Sequence, residues 1–143
     1  MNDIIAFLIN HWVLTGLVFV TMVAIGVVEF RFKQFGLLQL STQELVSAMN
    51  HDQALVLDLR EQEAYRKGHI LGAVNLPVSQ WDEKIDTVLK KFTQGPIILV
   101  CQLGTVSAKK GATLAKQQDR PVRLLAGGLT AWIQAALPLH SEK

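Results

Sequence analysis

Cys101 is the single cysteine among 143 residues, and it stands where the apolar run Ile97-Ile98-Leu99-Val100 gives way to the stretch Gln102-Leu103-Gly104-Thr105-Val106-Ser107. A buried strand that ends in a thiol just ahead of a helix presents a nucleophile to backbone N–H groups at the carboxyl edge of a sheet. The chemistry is attack by a thiolate. An ordinary thiol, with a pKa of about 8.5, is mostly protonated at neutral pH, so such a site must supply donors that favour the anion. If the residues after Cys101 curl around its sulfur, their amides and the positive end of a helix beginning near Ser107 supply them. Gly104 permits the tight curvature, and Thr105 and Ser107 add hydroxyl donors. The plainer alternative is a small buried hydrophobe that closes a strand.

The other conspicuous residues read as supports. Asp58 and Arg60 fit a charged hydrogen bond that pins loops together better than an acid/base pair. Trp132 reads as core on the last helix, and Gly127-Gly128 as a tight turn near the site. Lys109 and Lys110 lie on a helix leading away from the thiol and read as solvated. No metal-ligand cluster, repeat or low-complexity tract is present, and no metal or cofactor is implied. A net charge of +2, with scattered basic residues, does not point to nucleic acid.

The elements that must position Cys101 alternate. Leu37–Leu40 reads as a strand, and Ser41-Thr42-Gln43-Glu44 as a capping box opening a helix to about Met49. Ala54–Leu57 reads as a buried strand ending at Asp58, followed by a helical turn or two closed by Gly68. Ala73–Leu76 is a short strand stopped by Pro77. Ser79 is expected to cap a helix carrying Ile85, Val88, Leu89 and Phe92 on one face, which Gly95-Pro96 ends. The strand into Cys101, a helix from about Ser107 to Gln117, the strand Val122–Leu125 and a helix after Gly127-Gly128 complete the order. Such alternation predicts an α/β fold, a mostly parallel sheet flanked by helices on both faces. Asp58, Cys101 and Gly127-Gly128 are then expected at its carboxyl edge.

Ahead of this domain, Ile4 to Val28 carries no charged side chain. As a helix this run reaches roughly 37 Å, enough to cross a hydrocarbon core of about 30 Å. It reads as one N-terminal transmembrane helix over 4–28, with the lipid bilayer as its partner. A cleaved signal peptide would need a basic start and a small-residue cleavage site; the start carries Asp3, and Glu29-Phe30-Arg31-Phe32-Lys33 follows. Arg31 and Lys33 place the N-terminus outside and the following domain in the cytoplasm. A reducing compartment suits one unpaired cysteine. Residues 29–36 then form a juxtamembrane linker, 37–139 the domain, and 140–143 a tail.

Three segments together resemble the rhodanese-like domain family, the single-domain sulfurtransferase fold. One is Asp58-Leu59-Arg60-Glu61 continuing through Ala64-Tyr65 to Gly68-His69-Ile70-Leu71-Gly72-Ala73-Val74-Asn75-Leu76-Pro77, similar to the family's D-x-R-E and G-H-I-x-G-A-x-N-x-P pattern. Leu71 stands where the family usually has proline. The second is the Cys101 loop, and the third is Leu125-Ala126-Gly127-Gly128-Leu129-Thr130-Ala131-Trp132, similar to its closing L-x-G-G-x-x-A-W. With an anchor in front, the layout resembles the membrane-attached bacterial YibN-like type, which implies the inner membrane. The resemblance implies a persulfide on Cys101, a sulfur donor and acceptor as partners, membrane-protein partners, and a structural hydrogen-bonding role for His69. It departs at Val106, where active rhodaneses commonly carry the loop's arginine. Valine cannot bind an anion, which argues against thiosulfate turnover. Related dual-specificity phosphatases end a longer loop in arginine where this chain has Ser107, so a phosphate dianion lacks its clamp. The alternatives are a protein-interaction module at the membrane with weak or lost chemistry, and a redox sensor that would need an external thiol.

Overall fold

The computed structural model describes residues 11–34 and 37–142. The chain divides into two units, Met1–Gly36 and Leu37–Lys143. In the first, α1 (Trp12–Gln34) is one helix of 23 residues. Residues 4–10 of the expected span lie outside the described residues. The helix runs on past Val28 to Gln34, so most of the expected linker is helical. The segment 29–34 holds neither glycine nor proline, and a formed helix propagates through such residues. The described side chains from Val13 to Val27 are exposed except for the half-buried Thr15. Among the described residues no helix is long and apolar enough to cross a membrane.

In the second unit, strand–helix alternation builds one sheet. The elements are β1 (Leu38–Leu40), α2 (Thr42–His51), β2 (Leu55–Asp58), α3 (Gln62–Lys67), β3 (Val74–Asn75), α4 (Trp81–Lys91), β4 (Ile97–Val100), α5 (Thr105–Ala115), β5 (Val122–Leu125) and α6 (Gly128–Gln134). The five strands run in the order β1-β5-β4-β2-β3, every pairing parallel. β4 lies at its centre and pairs with β2 in the register Leu55↔Ile97 to Asp58↔Val100, which brings the Asp58 end of one beside the Cys101 end of the other.

Alternate residues of these strands feed two cores. Leu55, Leu57, Ile97, Leu99 and Cys101 pack with Trp81, Ile85 and Leu89 of α4 and Leu114 of α5. Val56, Ile98 and Val100 pack on the other face with Leu45 and Ala48 of α2, Tyr65 of α3, and Leu129 and Trp132 of α6. Strands buried on both faces read as continuous apolar runs.

Local chemistry sets the boundaries. Ser41 Oγ accepts the Glu44 N–H at 3.3 Å while Glu44 Oε2 accepts the Ser41 N–H at 2.7 Å, the expected capping box. Ser79 does not cap α4: it lies in a 3₁₀ turn, Val78–Gln80, and Gln80 takes the cap position with no side-chain cap bond. Pro77 fixes an extended entry, and the chain tightens before the helix proper begins. α5 starts at Thr105 rather than Ser107, because Gly104 turns the chain at φ +90° and lets the helix begin at once.

Candidate active site

β4 delivers Cys101 to the carboxyl edge of the sheet, where it is 4% exposed. Its sulfur accepts the Gly104 N–H at 3.1 Å and the Ser107 N–H at 3.5 Å, and the Ser107 hydroxyl lies 3.4 Å away. The curl around the sulfur is thus three residues, Gln102 to Gly104, and the first turn of α5 supplies the rest. Ser107 is fully buried and its hydroxyl also reaches the Gly104 carbonyl at 2.9 Å. In the protonated state Cys101 donates to this hydroxyl. Once the sulfur is anionic, the hydroxyl can turn its own proton toward it. Two N–H groups, a hydroxyl and a helix N-terminus are the partners that a thiolate or a persulfide anion needs. Thr105 and Val106 are exposed on the outer side of that turn, and no bond joins the Thr105 hydroxyl to the sulfur.

A second helix end holds the loop from behind. The Leu129 N–H donates to the Cys101 carbonyl at 2.9 Å and the Thr130 N–H to the Gln102 carbonyl at 3.1 Å. The Thr130 hydroxyl donates to the same Gln102 carbonyl at 2.9 Å. With both carbonyls held by α6, the loop keeps the Gly104 and Ser107 amides on the sulfur. Gly128 makes the approach possible: at φ +60°, a Cβ there would stand 2.3 Å from the Cys101 carbonyl oxygen and 2.8 Å from the Gly104 nitrogen. The Gly127-Gly128 turn and Cys101 therefore meet at one edge. Thr130 was not singled out by sequence reasoning; its only signal is a hydroxyl residue in the first turn after the glycine pair.

Asp58 ends β2 beside the loop and is 1% exposed. Its carboxylate takes Arg60 Nε at 3.0 Å and Nη2 at 2.6 Å, and the same Nη2 donates to the Gly68 carbonyl at 2.7 Å. Asn75 Nδ2 donates to the Asp58 carbonyl at 3.1 Å and to the Arg60 carbonyl at 2.8 Å. These bonds tie β2, β3 and the α3 turn into one support. His69 is buried away from the sulfur; its Nδ1 lies 2.9 Å from the Tyr65 carbonyl, and its ring stacks on Tyr65 with centroids 3.7 Å apart. Burial, reinforced by Glu142 and Asp58, pushes the Tyr65 phenol above its ordinary value. Trp132 is buried, with Nε1 donating to the Pro138 carbonyl at 3.1 Å. Leu71, 67% exposed, sits in a turn away from these contacts.

A cavity of about 440 Å³ opens over Cys101. Leu59, Ala64, Val78, Leu103 and Val106 supply its apolar wall, Gln102 and Thr105 a polar margin, and Arg60 and Glu61 its charges. Val106 is 41% exposed, so the position where an arginine would meet an anion carries two methyl groups facing the mouth. Lys109 and Lys110 are not among the lining residues; Lys110 instead pairs with Asp82 at 3.4 Å and lies over Trp81. Among the described residues no group of three or more His, Cys, Asp or Glu is placed to hold a metal.

The family model described as "Rhodanese-like domain" matches residues 41–135, which begins at the α2 cap and ends just past α6. The chain belongs to the rhodanese-like family. Along its whole length it is 29% identical, over 143 residues and 100% of both chains, to the "Uncharacterized protein YibN" of Escherichia coli K12. It is 31% identical over 104 residues to the "Thiosulfate sulfurtransferase GlpE" of Pseudoalteromonas translucida, covering 73% of this chain and 92% of the relative. Among solved structures, the thiosulfate sulfurtransferase of Pseudomonas aeruginosa superposes with a TM-score of 0.66 at 25% identity, over 74% of this chain. That match spans only 20% of the larger protein. The rhodanese-like core thus contains the Cys101 loop, the Asp58–Arg60 support and the glycine turn together.

Proposed function

We propose that this protein is a sulfur carrier and sulfurtransferase that holds a persulfide on Cys101, anchored to the inner membrane by its N-terminal helix. One observation carries the chemical part: the Cys101 sulfur accepts N–H groups from Gly104 and Ser107 within a loop that α6 holds in place. In the reaction the Cys101 thiolate attacks a donor's sulfane sulfur, the donor's bond to that sulfur breaks, and the former partner leaves with the electron pair. The loop amides then hold the terminal sulfur until an acceptor nucleophile takes it. The sulfurtransferases to which the chain is similar favour the same chemistry. Val106 in place of arginine removes the charged partner of an anion, so an organic or protein-borne persulfide is the expected donor rather than thiosulfate. The same valine favours a second reading, a membrane-tethered interaction module with weak chemistry.

The anchoring part rests on the uncharged run 4–28, the exposed apolar side chains between Val13 and Val27, and the basic residues Arg31 and Lys33. The backbone of α1, 23 residues, reaches roughly 34 Å. Two experiments test the proposal. A persulfide-treated chain given cyanide should release thiocyanate in proportion to protein and none with Cys101→Ser; no release from either form supports the interaction module. In inverted membrane vesicles, external protease should digest the domain while α1 stays with the lipid; protection of the domain would place it on the other side.

A further inference from the structure

We propose that the donor site selects a small, uncharged, apolar-bodied organic persulfide and discriminates against carboxylate-bearing ones. This rests on the sulfur-carrier reading and deepens it. The cavity over Cys101, about 440 Å³, has the size of a small-molecule site, which favours a free donor over a protein surface. Its wall offers Leu103 at 65%, Val106 at 41% and Val78 at 36% exposure, with Leu59 and Ala64 deeper. An alkyl group buried there gains by leaving water, while a carboxylate loses its hydration without a replacement.

The charges in the wall point the same way. Arg60 is the one cation among the lining residues, and its guanidinium is turned to Asp58 and the Gly68 carbonyl through Nε and Nη2, with the side chain 9% exposed. Glu61 is exposed and forms no ion pair with the described residues, so the lining charge left without an ion-pair partner is a negative one. A donor anion meets repulsion there, whereas the persulfide sulfur itself passes to the amides at the floor.

The transfer balances with no added oxidant or reductant. The Cys101 thiolate attacks the outer sulfur of R–S–SH, a Cys101–sulfur bond forms, the donor S–S bond breaks, and R–S⁻ leaves with the electron pair. The proton stays on the transferred sulfur or passes to the departing thiolate.

The test uses the full chain and two donors close in size, butyl hydropersulfide and 2-carboxyethyl hydropersulfide, each also reacted with N-acetylcysteinamide to correct for intrinsic reactivity. The readout is the initial rate of one-sulfur gain on Cys101. The corrected butyl rate should exceed the carboxyethyl rate by about tenfold or more, and the ratio should fall in Val106→Arg and in Leu103→Lys, the latter a surface change that leaves the core intact. Equal corrected rates, or a ratio unmoved by both variants, overturn the selectivity while the sulfur-carrier reading stands. Faster loading from a short Gly/Ser peptide bearing one cysteine persulfide overturns the small-molecule claim. No sulfur gain from any donor overturns both the selectivity and the reading beneath it.

Discussion

Val106 separates two kinds of donor at one position. Its side chain stands at the mouth of the cavity, 41% exposed, on the first turn of α5, where the Ser107 amide faces the sulfur. An arginine there would add a planar, permanently charged donor set to the amides without disturbing the core. Val106→Arg is expected to raise the rate of sulfur loading from thiosulfate by about tenfold or more, the effect of one charge-assisted hydrogen bond of about 1.5–3 kcal/mol. Loading rates from thiosulfate measured for both forms check it, and an unchanged rate would mean that the mouth, not the missing charge, keeps the anion out. The chemical residues were legible in the sequence because each stands at a break in pattern: Cys101 after four apolar residues, Asp58 after another run, and the glycine pair after β5. The partners of the sulfur were legible only in kind. Which amides point at it depends on the φ of Gly104, and sequence alone does not set where along the chain the turn closes.

α5 and α6 meet the Cys101 loop from opposite sides, and the site depends on both of their N-termini. Gly128→Ala tests this pairing. Its Cβ would lie 2.3 Å from the Cys101 carbonyl, so either α6 shifts or the loop does, at a cost of about 2 kcal/mol or more. Urea unfolding should show that loss, and sulfur loading should fall well beyond what the unfolded fraction explains. A variant with full loading and normal stability would show that α6 does not hold the loop. α2 offers a pH test. The Ser41 backbone N–H and hydroxyl hold the Glu44 carboxyl below its ordinary value of 4.5. Because the folded pKa is the lower one, this contribution is present above that value and is lost as pH falls through the folded pKa. The Tm difference between wild type and Glu44→Ala should therefore be seen at neutral pH and shrink in acid; a constant difference would assign it to packing. The cap of α2 was legible because its four residues carry the signal themselves. The starts of α4 and α5 were not, since Pro77 and Gly104 act through backbone geometry that Ser79 and Ser107 only mimic in sequence.

The domain unit carries both hydrophobic cores and all of the described site within Leu37–Lys143, while the charge-free run lies in the other unit. A formal charge of +2 spread over the whole chain generates little field for steering anions, so donor choice is left to the cavity and loop. The parallel pairing was legible from strand–helix alternation, because each helix returns the chain to start its next strand in the same direction; the spatial order of the strands was not, since it depends on which edge of the sheet each crossover takes. The full extent of α1 was not: apolarity marks a span by its composition, whereas the helix continues through polar residues for which composition sets no stop. The most direct measurement of the central claim is the intact mass of the full chain after exposure to a low-molecular-weight persulfide, with Cys101→Ser alongside. The single cysteine makes the result unambiguous. A gain of one sulfur atom in the wild type alone, removed by cyanide, is the predicted outcome. No gain, or the same gain in Cys101→Ser, would contradict a persulfide on Cys101.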